Sequence, residues 1–210
     1  MALFIDIISD VICPWCYIGK RRLEEAIAAV DGPVKVRWLP FQLNPAMPKE
    51  GISRKEYRIR KFGSWERSLE LDARVVAVGE AEGIHFVFDL IERTPNTLDA
   101  HRLIWLAGKE GVQDAVVEAL FRAYFTEGRD ISKPQILLDT VAEAGIDRNK
   151  AEAMLNSDDA LEAIKETDEL SRRFRVEGVP FYIVNGKVTL SGAQQPDTFL
   201  EAIRQAVAAK

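Results

Sequence analysis

Cys13-Pro14-Trp15-Cys16 joins two segments whose hydrophobic periods differ. Before it, Leu3 to Ile8 is short and rich in Ile, Leu and Phe, as a buried strand is. After it, Ile18, Leu23, Ala26, Ile27 and Val30 recur at helical spacing, with Lys20, Arg21, Arg22, Glu24 and Glu25 turned outward. Pro14 suits the first helical turn, where its missing N–H is not needed. Asp31-Gly32-Pro33 stops this helix, and Val34 to Leu39 reads as a second strand. The cysteine pair therefore sits at the first joint of a β-α-β unit with short connections, which makes its two strands a parallel pair.

That location decides the chemistry. A thiol at a helix N-terminus meets the positive end of the helix dipole and unpaired backbone N–H groups, and both favour the thiolate that attacks disulfides. Cys13, at the helix start, is expected to be the exposed attacking sulfur. Cys16, one turn in, is expected to be buried and to resolve the mixed disulfide. Two other readings exist. A CxxC can be half of a zinc site, but the only imidazoles are His85 and His101, neither at finger-like spacing. The pair can also be two incidental buried cysteines. Its place after the first strand of a β-α-β unit favours redox work over both.

Two cysteines three positions apart make no disulfide scaffold for 210 residues. The opening stretch has no basic leader, and Asp6 interrupts its apolar run, so a reducing cytoplasm is the expected compartment. No apolar run is long enough to span a bilayer. A net charge of −5 argues against a broad nucleic-acid surface.

Beyond the second strand the character changes. Phe41 to Ser64 carries Pro45, Pro48 and Gly51 and reads as a long excursion. Helical stretches follow at Trp65 to Glu82, Leu98 to Lys109, Val112 to Thr126, Pro134 to Ala144 and Arg148 to Leu155, punctuated by Gly83, Pro95, Gly111, Gly128 and Gly145. Residues 51–157 are expected to form an inserted helical subdomain, with 1–50 and 158–210 as the surrounding unit. Asp158 to Phe174 is one more helix. Phe181 to Val184 and Lys187 to Leu190 are strands joined by Asn185-Gly186, a two-residue hairpin turn. A last helix opens at Gln195-Pro196-Asp197 and runs to Ala209, with Phe199, Leu200, Ile203 and Val207 inward.

Gly178-Val179-Pro180-Phe181 precedes the hairpin. Proline at the start of a strand is permitted on steric grounds alone. A second reading has a cis bond facing the cysteines, with the Val179 backbone turned toward an incoming peptide.

Strand, CPxC, helix, helical block, Val-Pro, strand and Asn-Gly hairpin resembles the DsbA-like branch of the thioredoxin superfamily. The stretch Ser9 to Lys20 (SDVICPWCYIGK) and the segment Pro95 to Arg102 (PNTLDAHR) are similar to its cytoplasmic FrnE-like subgroup. The resemblance covers essentially the whole chain. It implies an α/β thioredoxin fold interrupted by an inserted helical subdomain, a cis Pro180, and thiol–disulfide oxidoreductase activity. It gives Pro14, Trp15, Val179 and Pro180 a substrate-binding role. Trp15 stands where periplasmic DsbA has a histidine and cannot supply an imidazolium charge, which implies a less oxidising couple than that protein's roughly −120 mV. The kappa-class glutathione transferases and 2-hydroxychromene-2-carboxylate isomerases share the architecture with serine at the first active position, where this chain keeps Cys13.

Asp6 is a candidate buried acid relaying the Cys16 proton, the other reading being an acid on a solvent face. His101 is a candidate for lining a cleft over the cysteines, against an imidazole satisfied inside the helical block. His85 reads as structural. Trp38, Trp65, Trp105, Phe121, Tyr124 and Phe125 read as core, some of them able to line an apolar groove. The basic run Lys55 to Lys61 reads as a solvated helix face.

The expected function is thiol–disulfide exchange on protein or small thiol substrates, with the dithiol as its own cofactor and glutathione open as reductant. No metal, nucleotide, nucleic acid or membrane partner is implied. A reducing cytosol favours reductase or isomerase work over net oxidation. Two alternatives stand beside it: a glutathione-dependent isomerase or transferase acting on a small aromatic or polyketide-like molecule, and a chaperone-like peptide-binding protein. An isologous homodimer is open, with no residue pattern marking its interface.

Overall fold

The computed structural model describes residues 3–208. Residues 1, 2, 209 and 210, at the ends of the expected thioredoxin-like unit, lie outside the described residues, and with them Ala209, the expected end of the last helix.

The chain opens with β1 (Leu3–Ser9), α1 (Pro14–Ala28) and β2 (Val34–Pro40). β1 and β2 pair in parallel, from Leu3 opposite Val34 to Ser9 opposite Pro40. A short strand β3 (Ile52–Ser53) leads into α2 (Arg54–Phe62) and α3 (Trp65–Ala81), and β4 (Arg93–Thr94) returns to pair antiparallel with β3. Then come α4 (Leu98–Glu110), α5 (Gln113–Phe125), α6 (Pro134–Glu143), α7 (Arg148–Leu155) and α8 (Leu161–Arg173). The chain closes with β5 (Phe181–Val184), β6 (Val188–Ser191) and α9 (Pro196–Ala208). The main sheet has the order β2-β1-β5-β6, with β5 antiparallel to both neighbours.

Local chemistry explains the joints. Asn185 and Gly186 have φ of 51° and 66°, the double positive φ that a two-residue hairpin of this kind requires. Pro14 occupies the first turn of α1, and Pro134 and Pro196 open α6 and α9 in the same way. The stretch expected to be a long excursion contains α2. Its first turn is capped by the Ser53 hydroxyl accepting from the Glu56 N–H, and Gly63 at φ 91° ends it. Charged residues dominate α2, so no apolar periodicity announced it.

Side chains of β1 alternate. Leu3, Ile5 and Ile7 join Cys16, Ile18 and Leu23 of α1 and Phe199 and Ile203 of α9 in one large apolar cluster. Ile8, on the opposite face, meets Phe41 and Val176 in a small second one. α9 packs on β5, β6 and α1, while α8 packs on β2 and α4. Among the described residues no helix is long and apolar enough to cross a membrane.

Candidate functional site

Cys13 is the residue that caps α1, in an extended conformation (φ −96°, ψ 110°), and its own N–H donates to the Asp10 carbonyl at 3.0 Å. The Cys16 N–H donates to the Cys13 carbonyl at 3.0 Å, so the pair spans the first helical turn. Both cysteines carry free thiols. The Cys13 Sγ donates to the Val179 carbonyl oxygen at 3.3 Å, joining the helix start to the segment before β5. The Val179–Pro180 peptide bond is cis.

The sequence predicted an exposed Cys13. The structure leaves it 5% exposed, reached through a cavity of about 390 Å³ rather than displayed on a surface. Ile12, Pro14 and Trp15 line that cavity beside the sulfur, and Trp15, 39% exposed, stands at its edge. Cys16 has no exposed surface. Burial, followed by the adjoining Cys13 thiol, pushes the Cys16 thiol up, while the Ser9 hydroxyl and the Asp10 backbone pull it down less strongly. The two sulfurs are thus unequal, one facing a cavity and the other sealed behind it.

Tyr182 of β5 reaches this centre from the sheet. Burial, then the nearby Cys16 and Cys13, push its phenol well above the ordinary value. Its hydroxyl finds no hydrogen-bond partner among the described residues. The sequence reading missed it, because a tyrosine two residues after Val-Pro looks like any strand aromatic.

Asp6 is not the buried acid. Strand register sets it directly opposite Arg37, whose Nε and Nη2 donate to its two carboxylate oxygens at 2.8 Å each. It shares a strand face with the exposed Phe4, opposite the face of Ile5 and Ile7 that packs on α1. The buried carboxylate that closely precedes the cysteines is Asp10, with no exposed surface. Its Oδ2 accepts from the Leu43 N–H at 2.8 Å, and its Oδ1 faces the His101 Nε2 at 3.3 Å. The signal for Asp10 was its place in the Ser9 to Lys20 stretch.

His101 is 3% exposed. It borders a different cleft from that of Cys13, one formed with Asp6, Arg37 and Trp38 on the β2 side. The cysteine cavity is roofed by α2 and α3, and by Tyr124 and Phe125 of α5. The basic run is correspondingly more than a solvated face. Arg54 is buried and Arg58 partly so, both lining the cavity and both donating to the carboxylate of Asp72. Val179 and Pro180 approach from the sheet side, Val179 through its carbonyl and buried Pro180 against Gly19 of α1.

The DSBA-like thioredoxin domain is the family whose model matches, over residues 4–204. A crystal structure of a probable DsbA oxidoreductase from Streptomyces coelicolor is similar with a TM-score of 0.91 and 29% identity, over 99% of this chain and 91% of that one. The cytosolic disulfide reductase DsbM from Pseudomonas aeruginosa, solved with GSH, is similar in fold with a TM-score of 0.70 and 21% identity, over 97% and 98% of the two chains. Uncharacterized protein YwbO of Bacillus subtilis is 27% identical over 207 residues, covering 97% of this chain and 96% of its own. The fold class expected from the sequence, an α/β fold of the DsbA type, is the one observed.

Proposed function

The chain belongs to the DSBA-like thioredoxin family, and we propose on that footing that it is a dithiol–disulfide oxidoreductase. The observation that carries the reading is the inequality of the two sulfurs. Cys13 caps α1 and lines the cavity, and fully buried Cys16 lies one turn behind it. In the reaction Cys13 attacks a substrate disulfide and forms a mixed disulfide. Cys16 then attacks the Cys13 sulfur and releases the substrate thiol. Burial holds the Cys16 proton until the first step has brought a disulfide against it, which orders the two attacks.

Pro14 and Trp15 line the entrance, and the Val179 carbonyl next to Pro180 contacts the attacking sulfur. We assign these residues to substrate positioning. The dithiol itself is the redox group, with a small thiol such as glutathione as its reductant. A reducing cytoplasm fits reductase or isomerase work.

Insulin reduction by wild type and both serine variants tests the proposal. Cys13→Ser abolishes turnover. Cys16→Ser stops after one event and accumulates the mixed disulfide. Full multiple turnover by Cys16→Ser would overturn exchange chemistry in favour of a single-thiol or isomerase mechanism.

A further inference from the structure

The cavity over Cys13 has a charge opposite to that of the molecule. The chain carries a net −5, yet among the described residues the cavity wall holds four cationic side chains, Arg54, Arg58, Lys61 and Arg74, against one carboxylate, Asp72. Arg54, Arg58 and Lys61 are spaced i, i+4 and i+7, so α2 presents one cationic stripe along a single face.

Two of these cations are held in place. Arg54 Nη2 donates to Asp72 Oδ2 at 2.6 Å, with its guanidinium 5.1 Å from the Phe88 ring centre. Arg58 donates to the other Asp72 oxygen and to the Ser68 hydroxyl, and stacks over Phe62. One carboxylate thus serves one buried and one partly buried guanidinium. Burial, and after it the adjacent Arg54, hold Arg58 below the ordinary guanidinium value against the opposing pull of Asp72. Lys61 and Arg74 are exposed; Lys61 donates to the Tyr57 hydroxyl, and no hydrogen bond or ion pair is found for Arg74 among the described residues. Most of the remaining wall is apolar, built from Leu43, Leu71, Val75, Ile91 and aromatic rings, with Thr94 as a polar exception. A roofed, mostly apolar pocket with a few convergent charges suits a small molecule better than an extended polypeptide.

From this we infer that the Cys13 cavity binds a small disulfide whose halves each carry an anionic group on an apolar, ring-sized body. The inference rests on the oxidoreductase reading and names its substrate class. The reduced protein attacks R–S–S–R at one sulfur through Cys13, forming Cys13–S–S–R and releasing one RS⁻. Cys16 attacks the Cys13 sulfur, releasing the second RS⁻ and leaving a Cys13–Cys16 disulfide. The protein gives up two electrons and two protons, and the substrate leaves as two thiols.

Single-turnover reduction by the pre-reduced protein tests the inference. The probes are 5,5′-dithiobis(2-nitrobenzoate), neutral 4,4′-dithiodipyridine, and glutathione disulfide, which is charged without an apolar body. Each rate is divided by that of free 2-mercaptoethanol with the same probe, which removes intrinsic reactivity. The normalised rate for the aromatic dianion is expected to exceed the neutral probe's by about tenfold at low salt. The double variant Lys61→Gln/Arg74→Gln brings that ratio toward unity, and Lys165→Gln on α8 leaves it in place. A neutral probe that keeps pace, a ratio the double variant does not move, or glutathione disulfide ahead of the aromatic dianion would each overturn the inference. The oxidoreductase reading fails differently: wild type would then outpace free thiol with none of the three probes.

Discussion

A Cβ on Gly19 would stand 2.1 Å from the hydroxyl oxygen of Tyr182 and 3.2 Å from Cγ of Pro180. The absent side chain lets α1 lie directly against β5 and the Val179–Pro180 segment that leads into it, and so brings the cysteines to that segment. Tyr182 cannot swing aside, since it has no exposed surface and its ring meets Phe199 edge-on at 4.7 Å. Gly19→Ala is therefore expected to lower stability by about 2 kcal/mol through overpacking, although alanine gains about 1 kcal/mol in helix propensity. Tyr182→Phe removes the clashing oxygen and should recover much of that loss in the double variant. Urea unfolding of the four proteins checks this, and additive losses would contradict it.

Stability should fall in alkaline solution because of Cys16. Its folded value is raised from the ordinary 9.0, so the native thiol keeps a proton that the unfolded chain has begun to lose. The contribution is fully present below pH 9 and is lost as pH climbs, by about 1 kcal/mol per pH unit. Urea midpoints of the reduced protein should drop more steeply than those of Cys16→Ala between about pH 8 and pH 10. Parallel slopes would show that burial does not hold the proton.

Asp10 and His101 are expected to behave as one unit. Asp10 ties the end of β1 to Leu43, and its free oxygen meets the imidazole of α4. His101→Leu should cost about 1 kcal/mol by removing the imidazole that faces this oxygen, which accepts no hydrogen bond among the described residues. The double variant with Asp10→Ala should cost at least about 1 kcal/mol less than the sum of the singles. Full additivity in a double-mutant cycle would separate the two residues.

Arg102 acts far from the sulfurs. It donates to the carbonyls of Asp159 at 3.0 Å, Ser157 at 2.6 Å and Met154, and to Asp99 at 2.8 Å, fastening α4 to the α7–α8 connection. Arg102→Met strands the Ser157 and Asp159 carbonyls, whereas that of Met154 keeps the Ser157 N–H and hydroxyl, and should cost about 2 kcal/mol. Disulfide exchange by the folded fraction should be unaltered. Loss of exchange without loss of stability would place Arg102 in the site instead.

The joint of β1, CPWC and α1 was legible because period, proline and cysteines all fall within a few residues of one another. The Asn185-Gly186 hairpin was legible for the same reason. Asp6 was misread because a strand's neighbour across the sheet is not visible in one segment: Arg37 lies 31 residues away. The roof of the cavity was hidden for a related cause. Arg54, Arg58 and Lys61 look like surface charge until α3 supplies Asp72 and the aromatic rings supply walls. The comparison of Trp15 with histidine weighed only what lies between the cysteines, whereas the cations lining the cavity come from α2 and α3. Long-range assembly, rather than local pattern, builds that half of the site.

The bond from the Cys13 sulfur to the Val179 carbonyl exists only while the thiol holds its proton. Ionisation leaves two lone-pair-bearing atoms facing one another at contact distance, and attraction becomes repulsion. In the proposed exchange reaction, the sulfur that attacks gives up this contact, and the Val179 carbonyl is left facing whatever enters beside Cys13.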